Sequence, residues 1–297
     1  MSATRRHRGL HSTVCKNPNP TYTAPERSRL PFLADVLKAS QSKNVTLSDV
    51  AVLMRKQIGR KKRFYRDREN AIRALHSVMS DRVNLVTFQV EISLRNASDA
   101  AGLTTVSPAE VQKGKDDPFH TPVVSISRAS RALQDMIDMG WIIAKDEWQV
   151  WDKEAGAWSD KYYEATPLFF KACGITEERL LKQQSQRLAY LKHQATSRGL
   201  SPEAVGRMSI AEIKAERKLQ WRRNAFERRG KEMARKKASR ALHEKTRQEQ
   251  REVAQKRVLS SLSHDELQRM DARTYESLVN KEIAGLRKFA GVSPPIE

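Results

Sequence analysis

Residues 125–167, SISRASRALQDMIDMGWIIAKDEWQVWDKEAGAWSDKYYEATP, change their hydrophobic period partway along, and that change limits what the stretch can build. Ala129, Leu133, Met136, Ile137 and Met139 recur at helical spacing and form one apolar stripe. Ser125 or Ser127 is placed to cap the helix start, and Gly140 to end it in the left-handed conformation that a Cβ disfavours. Beyond Gly140 the chain turns rich in Trp, Ile, Val and Tyr and is broken around Gly156, which predicts two strands and a loop. The polar face of the helix carries Ser127, Arg128, Ser130 and Arg131 in its first two turns. Short hydroxyls and arginines there suit a helix whose N-terminal residues meet base edges and phosphates in the major groove. The expectation is a winged helix-turn-helix, with residues 125–139 as reading helix and 141–166 as wing.

The charge balance points the same way. Fifty-five Lys and Arg against 35 Asp and Glu leave +20 on 297 residues, a surplus that selects a polyanionic partner. Two cysteines, Cys15 and Cys173, are too few for a disulfide framework or a metal knuckle, and a reducing cytoplasm fits. No apolar run approaches the ~20 residues that span a bilayer, so no membrane partner is expected. His7 and His11 lack an acidic third ligand, so neither a metal nor a cofactor is expected. Four of the five tryptophans (Trp141, Trp148, Trp151, Trp158) fall in the hairpin, which marks it as the best-packed part of the chain.

Residues 1–30 are basic, rich in Pro and Asn, and without periodicity. They read as an extended arm whose Arg5, Arg6 and Arg8 either track phosphates or belong to an unstructured tail. Residues 31–173 form the predicted DNA-binding domain. It starts with a helix at 31–40 led by Pro31 and a second at 46–58, capped by Thr46 or Ser48 with Leu47, Val50, Leu53, Met54 and Ile58 inward. Eight basic residues follow or overlap it (Arg55, Lys56, Arg60, Lys61, Lys62, Arg63, Arg66, Arg68) against Asp67 alone, net +7. A solvated charge run is the bland alternative; beside a DNA reader, a phosphate-contacting patch is favoured. Residues 69–81 are an amphipathic helix, 83–92 alternate as a third strand, and 93–103 resemble the first helix of a helix-turn-helix. Residues 104–124, with three prolines, read as a long insertion with at most one helical turn at 108–112.

Residues 174–297 read as a basic, extended, all-helical region: a helix at 176–197, a break, a very basic helix from 209 to about 262, and two short helices at 265–270 and 275–289. Apolar residues are sparse in the long helix, so it either bridges solvent or orders on DNA. The fold class is therefore mainly α with a small antiparallel β-wing. No Gly-rich phosphate loop is present. Tyr162 and Tyr163 read as hairpin packing rather than a DNA-nicking pair, and Asp146, Glu147, Asp152, Glu154 and Asp160 are too dispersed for a two-metal nuclease. Binding without catalysis is expected.

Three stretches carry a resemblance: VCKNPNPTYTAPERSRLPF, then SISRASRALQDMIDMGWI, then TPLFFKACGITEERL. In this order they resemble the RepA replication initiators of IncFII-type and related enterobacterial plasmids. The likeness is strongest over 14–32 and 124–180 and only general beyond Gly206. It implies a non-enzymatic protein that binds double-stranded plasmid origin DNA, often as several self-associating copies. Such a protein helps open the duplex and recruits the host initiator and replicative helicase. Ser127, Arg128, Ser130 and Arg131 on the matching helix would read bases, and Arg60, Lys61, Lys62 and Arg63 fall where the family also has a basic run. Lys153 in the hairpin loop and Arg222, Arg223, Arg228 and Arg229 in the basic tail complete the phosphate-contact candidates. A winged-helix transcriptional repressor is the alternative, and a structural RNA-binding protein a third reading.

Overall fold

A computed structural model describes residue 17 and residues 19–116, 123–153 and 156–291. The expectations placed on Arg5, Arg6, Arg8, His7 and His11 lie outside the described residues. The chain is mainly helical with small antiparallel sheets, and it divides into two units. One comprises the chain up to Val150 and Trp158–Trp221; the other comprises Trp151–Ala157 and the residues from Arg222 onward.

The first unit is built on α3 (Arg66–Asp81), which buries Ile72, Leu75, Val78 and Met79 as their spacing predicts. Helix α1 (Pro31–Ser42), with proline in its first turn, packs along it through Val36 and Leu37. Helix α2 (Asp49–Gln57) is capped by Ser48, whose side chain accepts from the Ala51 amide. The inward face predicted for 46–58 holds only in part: Ala51 and Arg55 are buried, Val50 is half-buried and Met54 packs on the core, while Leu53 and, just outside α2, Leu47 and Ile58 are exposed. Burial follows the neighbours rather than hydropathy here, because the Arg55 guanidinium stacks on the ring of buried Phe64.

Residues 83–92 do not run as one strand. The Asn84 side chain accepts from the Val86 and Thr87 amides at 3.0 and 3.1 Å, folding the segment back so that Val83 bridges Val90, with Phe88 at φ 57°. Helix α4 (Leu94–Ala100) follows, capped by Ser93. The predicted insertion is ordered where it is described. Strand β1 (Thr105–Val106) pairs antiparallel with β2 (Val124–Ser125), and α5 (Pro108–Asp116) rises from the first of them. A ribbon therefore connects α4 to α6 (Ser127–Asp138), the expected reading helix. No side chain caps α6; Ser125 Oγ reaches only as far as the Ser127 amide.

After Gly140 (φ 70°), β3 (Ile142–Ile143) pairs with β6 (Glu164–Ala165) in the register Ile142↔Ala165. Between them lie a 3-10 turn at Asp146–Trp148 and a second hairpin, β4 (Trp151–Asp152) with β5 (Ala157–Trp158). Strand β6 is also bridged by residues 88–90, through Gln89↔Glu164 and the bonds from Val90 N to Tyr163 O and Ala165 N to Phe88 O. Trp141, Trp148, Tyr162 and Tyr163 are buried, as hairpin packing requires, but Trp151 and Trp158 are about half exposed. Helices α7 (Pro167–Ala172) and α8 (Glu177–Ser197) close the core with Phe169, Phe170 and Leu180. Short α9 (Pro202–Gly206) leads to α10 (Ile210–His243), whose Lys214 and Lys218 pair with buried Glu164 at 2.9 and 3.5 Å.

In the second unit the predicted continuous helix is broken. Thr246 and Glu249 form a capping box that starts α11 (Arg247–Ser261). Short α12 (His264–Arg269) leads to α13 (Ala272–Ala290), which packs on α11 through Ala254, Val258 and Val279.

Candidate nucleic-acid interface

Helix α6 divides sharply around its axis. Ala129, Ala132, Leu133 and Met136 are buried, whereas Ser127, Ser130, Arg131, Gln134 and Asp138 face solvent. Small alanines on the inner face let the helix lie close on α3, and the outer face is left to solvent. Arg128 is half-buried. Its Nη1 donates to the Asn17 carbonyl at 3.0 Å, and its Nη2 is buried without a hydrogen-bond partner among the described residues. Burial lowers its pKa, opposed by Asp67 and reinforced by Arg131.

The basic run is pinned beside this helix by Asp135. Arg60 Nη1 lies 3.4 Å from Asp135 Oδ1 and Arg68 Nε lies 3.2 Å from Oδ2; the second contact is an ion pair without hydrogen-bond geometry. Burial pushes the Asp135 carboxyl up despite both arginines. Burial also lowers Arg68, against the pull of Asp135, and its neighbours Arg131 and Arg60 lower it further. Two arginines, Arg60 and Arg68, thus share the Asp135 carboxylate, Arg131 lies close enough to Arg68 to lower it, and Arg128 is coupled to Asp67 and Arg131. Four arginines therefore face the acids Asp67, Asp135 and Asp138 along this side of α6, a surface that a phosphate backbone would suit. Sequence reasoning named all four, Arg68 as part of the basic run, and missed Asp135, because a lone acid on a polar helix face looks like an ordinary solvated charge.

The other residues of the run divide by role. Arg63 donates to Glu69 through Nε and Nη2, both at 2.9 Å, and this fork holds the Glu69 carboxyl below the usual range. Lys61 and Lys62 are exposed and carry no ion pair among the described residues. The arm is fastened at the far end of α3. Buried Asp81 accepts from the Tyr22 hydroxyl at 2.6 Å, and Arg29 and Arg27 pair with it. Burial pushes that carboxyl up, but the bonds from Arg29, Tyr22 and Arg27 outweigh it and hold it low. The arm then meets Gly102 (φ 63°), where a Cβ would come within 2.8 Å of the Asn17 side chain.

The remaining phosphate candidates fall in the second unit. Lys153 is exposed in the hairpin loop; Arg223 and Arg228 are exposed on α10, while Arg222 and Arg229 are half-buried. Among the described residues no three His, Cys, Asp or Glu side chains gather as a metal ion requires, and no helix is long and apolar enough to cross a membrane.

These features define a strongly basic, mainly helical protein that presents a serine- and arginine-bearing helix framed by further arginines. The chain belongs to the IncFII RepA protein family, which matches residues 10–291, and so to the plasmid replication initiation proteins. It is 25% identical over 295 residues to a probable replication-associated protein repA1 of Buchnera aphidicola subsp. Acyrthosiphon pisum, covering 95% of this chain and 97% of that one. A replication initiation protein of Escherichia coli is 26% identical over 309 residues, covering 98% and 87%. No solved structure matches this chain.

Proposed function

We propose that the chain initiates plasmid replication by binding duplex origin DNA site-specifically, with α6 in the major groove and Arg60, Lys61, Lys62, Arg63 and Arg68 on the adjoining phosphates. The carrying observation is the pair of contacts to Asp135, which holds a cationic segment against the exposed Ser127, Ser130 and Arg131 face. Chain order supports a winged helix-turn-helix reading: α3, the 83–90 turn, α4, α6, then β3 and β6, with residues 88–90 laid on β6. In this reading the protein works in the cytoplasm by binding rather than catalysis. Several copies on the origin help open the duplex and bring in the host initiator and replicative helicase.

The test is fluorescence-anisotropy binding to the DNA flanking the gene and to scrambled DNA, at ~0.05 and ~0.2 M salt. A preference of ~10³-fold or more is expected. A steep salt dependence with no preference would mean that α6 reads no bases.

A further inference from the structure

The backbone entering α3 sorts two adjacent aromatics to opposite sides. Residue 65 is extended (φ −61°, ψ 148°), so neighbouring side chains point opposite ways. Phe64 turns inward, is 5% exposed and carries the Arg60 guanidinium 4.4 Å from its ring centroid. Tyr65 turns outward and is 88% exposed. It also occupies the N-cap position of α3 without supplying a side-chain cap, a place where Ser, Thr, Asp or Asn would serve the helix better.

A single exposed aromatic is ordinary. This one is set among cations: Lys61, Lys62 and Arg66 are exposed and unpaired among the described residues. Its two sequence neighbours, Phe64 and Arg66, line a cavity of about 690 Å³ that Arg63, Arg73 and Asn70 also line. The Nε of Arg73 is buried without a hydrogen-bond partner among the described residues. Glu69 lines the cavity too and is already forked by Arg63, so it is the orphaned Arg73 nitrogen and the unpaired Arg66 that suit a phosphate, while the open phenol ring between Phe64 and Arg66 in the chain suits an unpaired base. Stacked aromatics along a cationic track are how proteins hold single strands, since every base offers a π-face whatever its sequence. In a paired duplex the base faces are stacked on one another and unavailable to such a ring.

We propose that Tyr65, with Lys61, Lys62 and Arg66 and the arginine-lined cavity beside it, is a single-stranded DNA site: one unpaired base stacks on Tyr65 and a neighbouring phosphate enters the cavity. This rests on the reading of the chain as an origin binder and adds a second mode of contact, suited to a strand freed when the duplex opens.

The test uses the full-length chain with two probes, a labelled oligothymidine of about 20 nucleotides and the labelled origin duplex. Wild type should bind both. Tyr65→Ala should bind the oligothymidine about 5- to 150-fold more weakly, the range for loss of one stacked base, with duplex binding changed less than about 2-fold. Tyr65→Phe, which keeps the ring, should restore the single-strand affinity, and Arg66→Ala should lower it and its salt dependence. Failure of wild type to bind oligothymidine, unchanged affinity in Tyr65→Ala, or equal loss on both probes would overturn the site. So would tighter binding of oligouridine than of oligothymidine. Loss of origin preference in the wild-type duplex measurement would instead strike the α6 reading, and the two failures are separately visible.

Discussion

The two units carry similar kinds of charge on very different foundations. In the first, Trp141, Phe169, Phe170 and the inner faces of α3 and α6 form one continuous core, and charged groups are held by it: Asp135 by Arg60 and Arg68, Asp81 by Tyr22, Arg27 and Arg29. In the second, the buried apolar cluster shared by α11 and α13 is Ala254, Val258 and Val279 with a partly buried fringe. Its ion pairs, such as Arg251–Glu276 and Arg257–Glu282, join exposed side chains. Burial gives a charged group a fixed address, whereas a solvated helix supplies charge without one. Base reading needs addresses; counterion release needs only charge.

The contrast is tested most severely at Phe169. It is fully buried and stacked on His76 with ring centroids 3.9 Å apart. Phe169→Ala should cost about 3–5 kcal/mol, seen as a lower urea midpoint by tryptophan fluorescence. Val258→Ala should cost about 0.5–2 kcal/mol, since its cluster has room to collapse. Equal costs would erase the distinction between the two units.

His76 gives the second test, through pH. Its Nε2 lies 3.0 Å from the Phe169 carbonyl and must donate to it, so Nδ1 accepts from Ser40 Oγ at 2.7 Å. Burial pushes its pKa down to about 4. Between pH ~6.5 and ~4 the unfolded chain takes up a proton that the folded chain refuses, so stability falls as pH drops through that window, by about 3 kcal/mol in all. Denaturant titrations at pH 7, 5.5 and 4.5 should show this slope, and His76→Gln should flatten it. An unchanged slope in the variant would place the acid sensitivity elsewhere.

Legibility in the sequence follows the same division. The stripe Ala129, Leu133, Met136 and the stop at Gly140 were readable because burial enforces period and glycine φ. Residues 83–92 misled because alternation of Val and Phe outvoted a single polar group, the Asn84 carboxamide that captures two amides and reverses the chain. Leu53 misled because hydropathy is silent about Arg55 finding the face of Phe64. The break before α11 was available as Thr246-x-x-Glu249 and is obscured by the charge around it. Most of the candidate interface could be named residue by residue, but not its arrangement. That Asp135 gathers Arg60 and Arg68, and that Arg128 is tied to Asn17, depends on groups 75, 67 and 111 residues apart in sequence meeting in space.

Arg131 and Arg223 then separate address from charge. Both are exposed, Arg131 on the core-anchored α6 and Arg223 on α10. Arg131→Ala should narrow the gap between the origin duplex and a variant changed at one base pair, by about 1–3 kcal/mol. Arg223→Ala, like Lys61→Ala, should weaken every duplex alike and reduce the slope of log K against log salt by about 1. Loss of base preference in Arg223→Ala would mean that the second unit also reads sequence.

The smallest effect falls on the start of α11. Thr246 Oγ1 accepts from the Glu249 amide while the Glu249 carboxylate accepts from the Thr246 amide at 2.6 Å and holds its own pKa low. With so few buried residues behind it, this helix depends on its ends more than α3 or α6 do. Thr246→Ala should cost about 1 kcal/mol. Amide exchange in the first turn of α11 should speed up accordingly, with no change in the exchange of α3. Exchange that rises equally in both helices would mean that the two units unfold as one cooperative body, and the contrast between them would then be one of surface chemistry and not of stability.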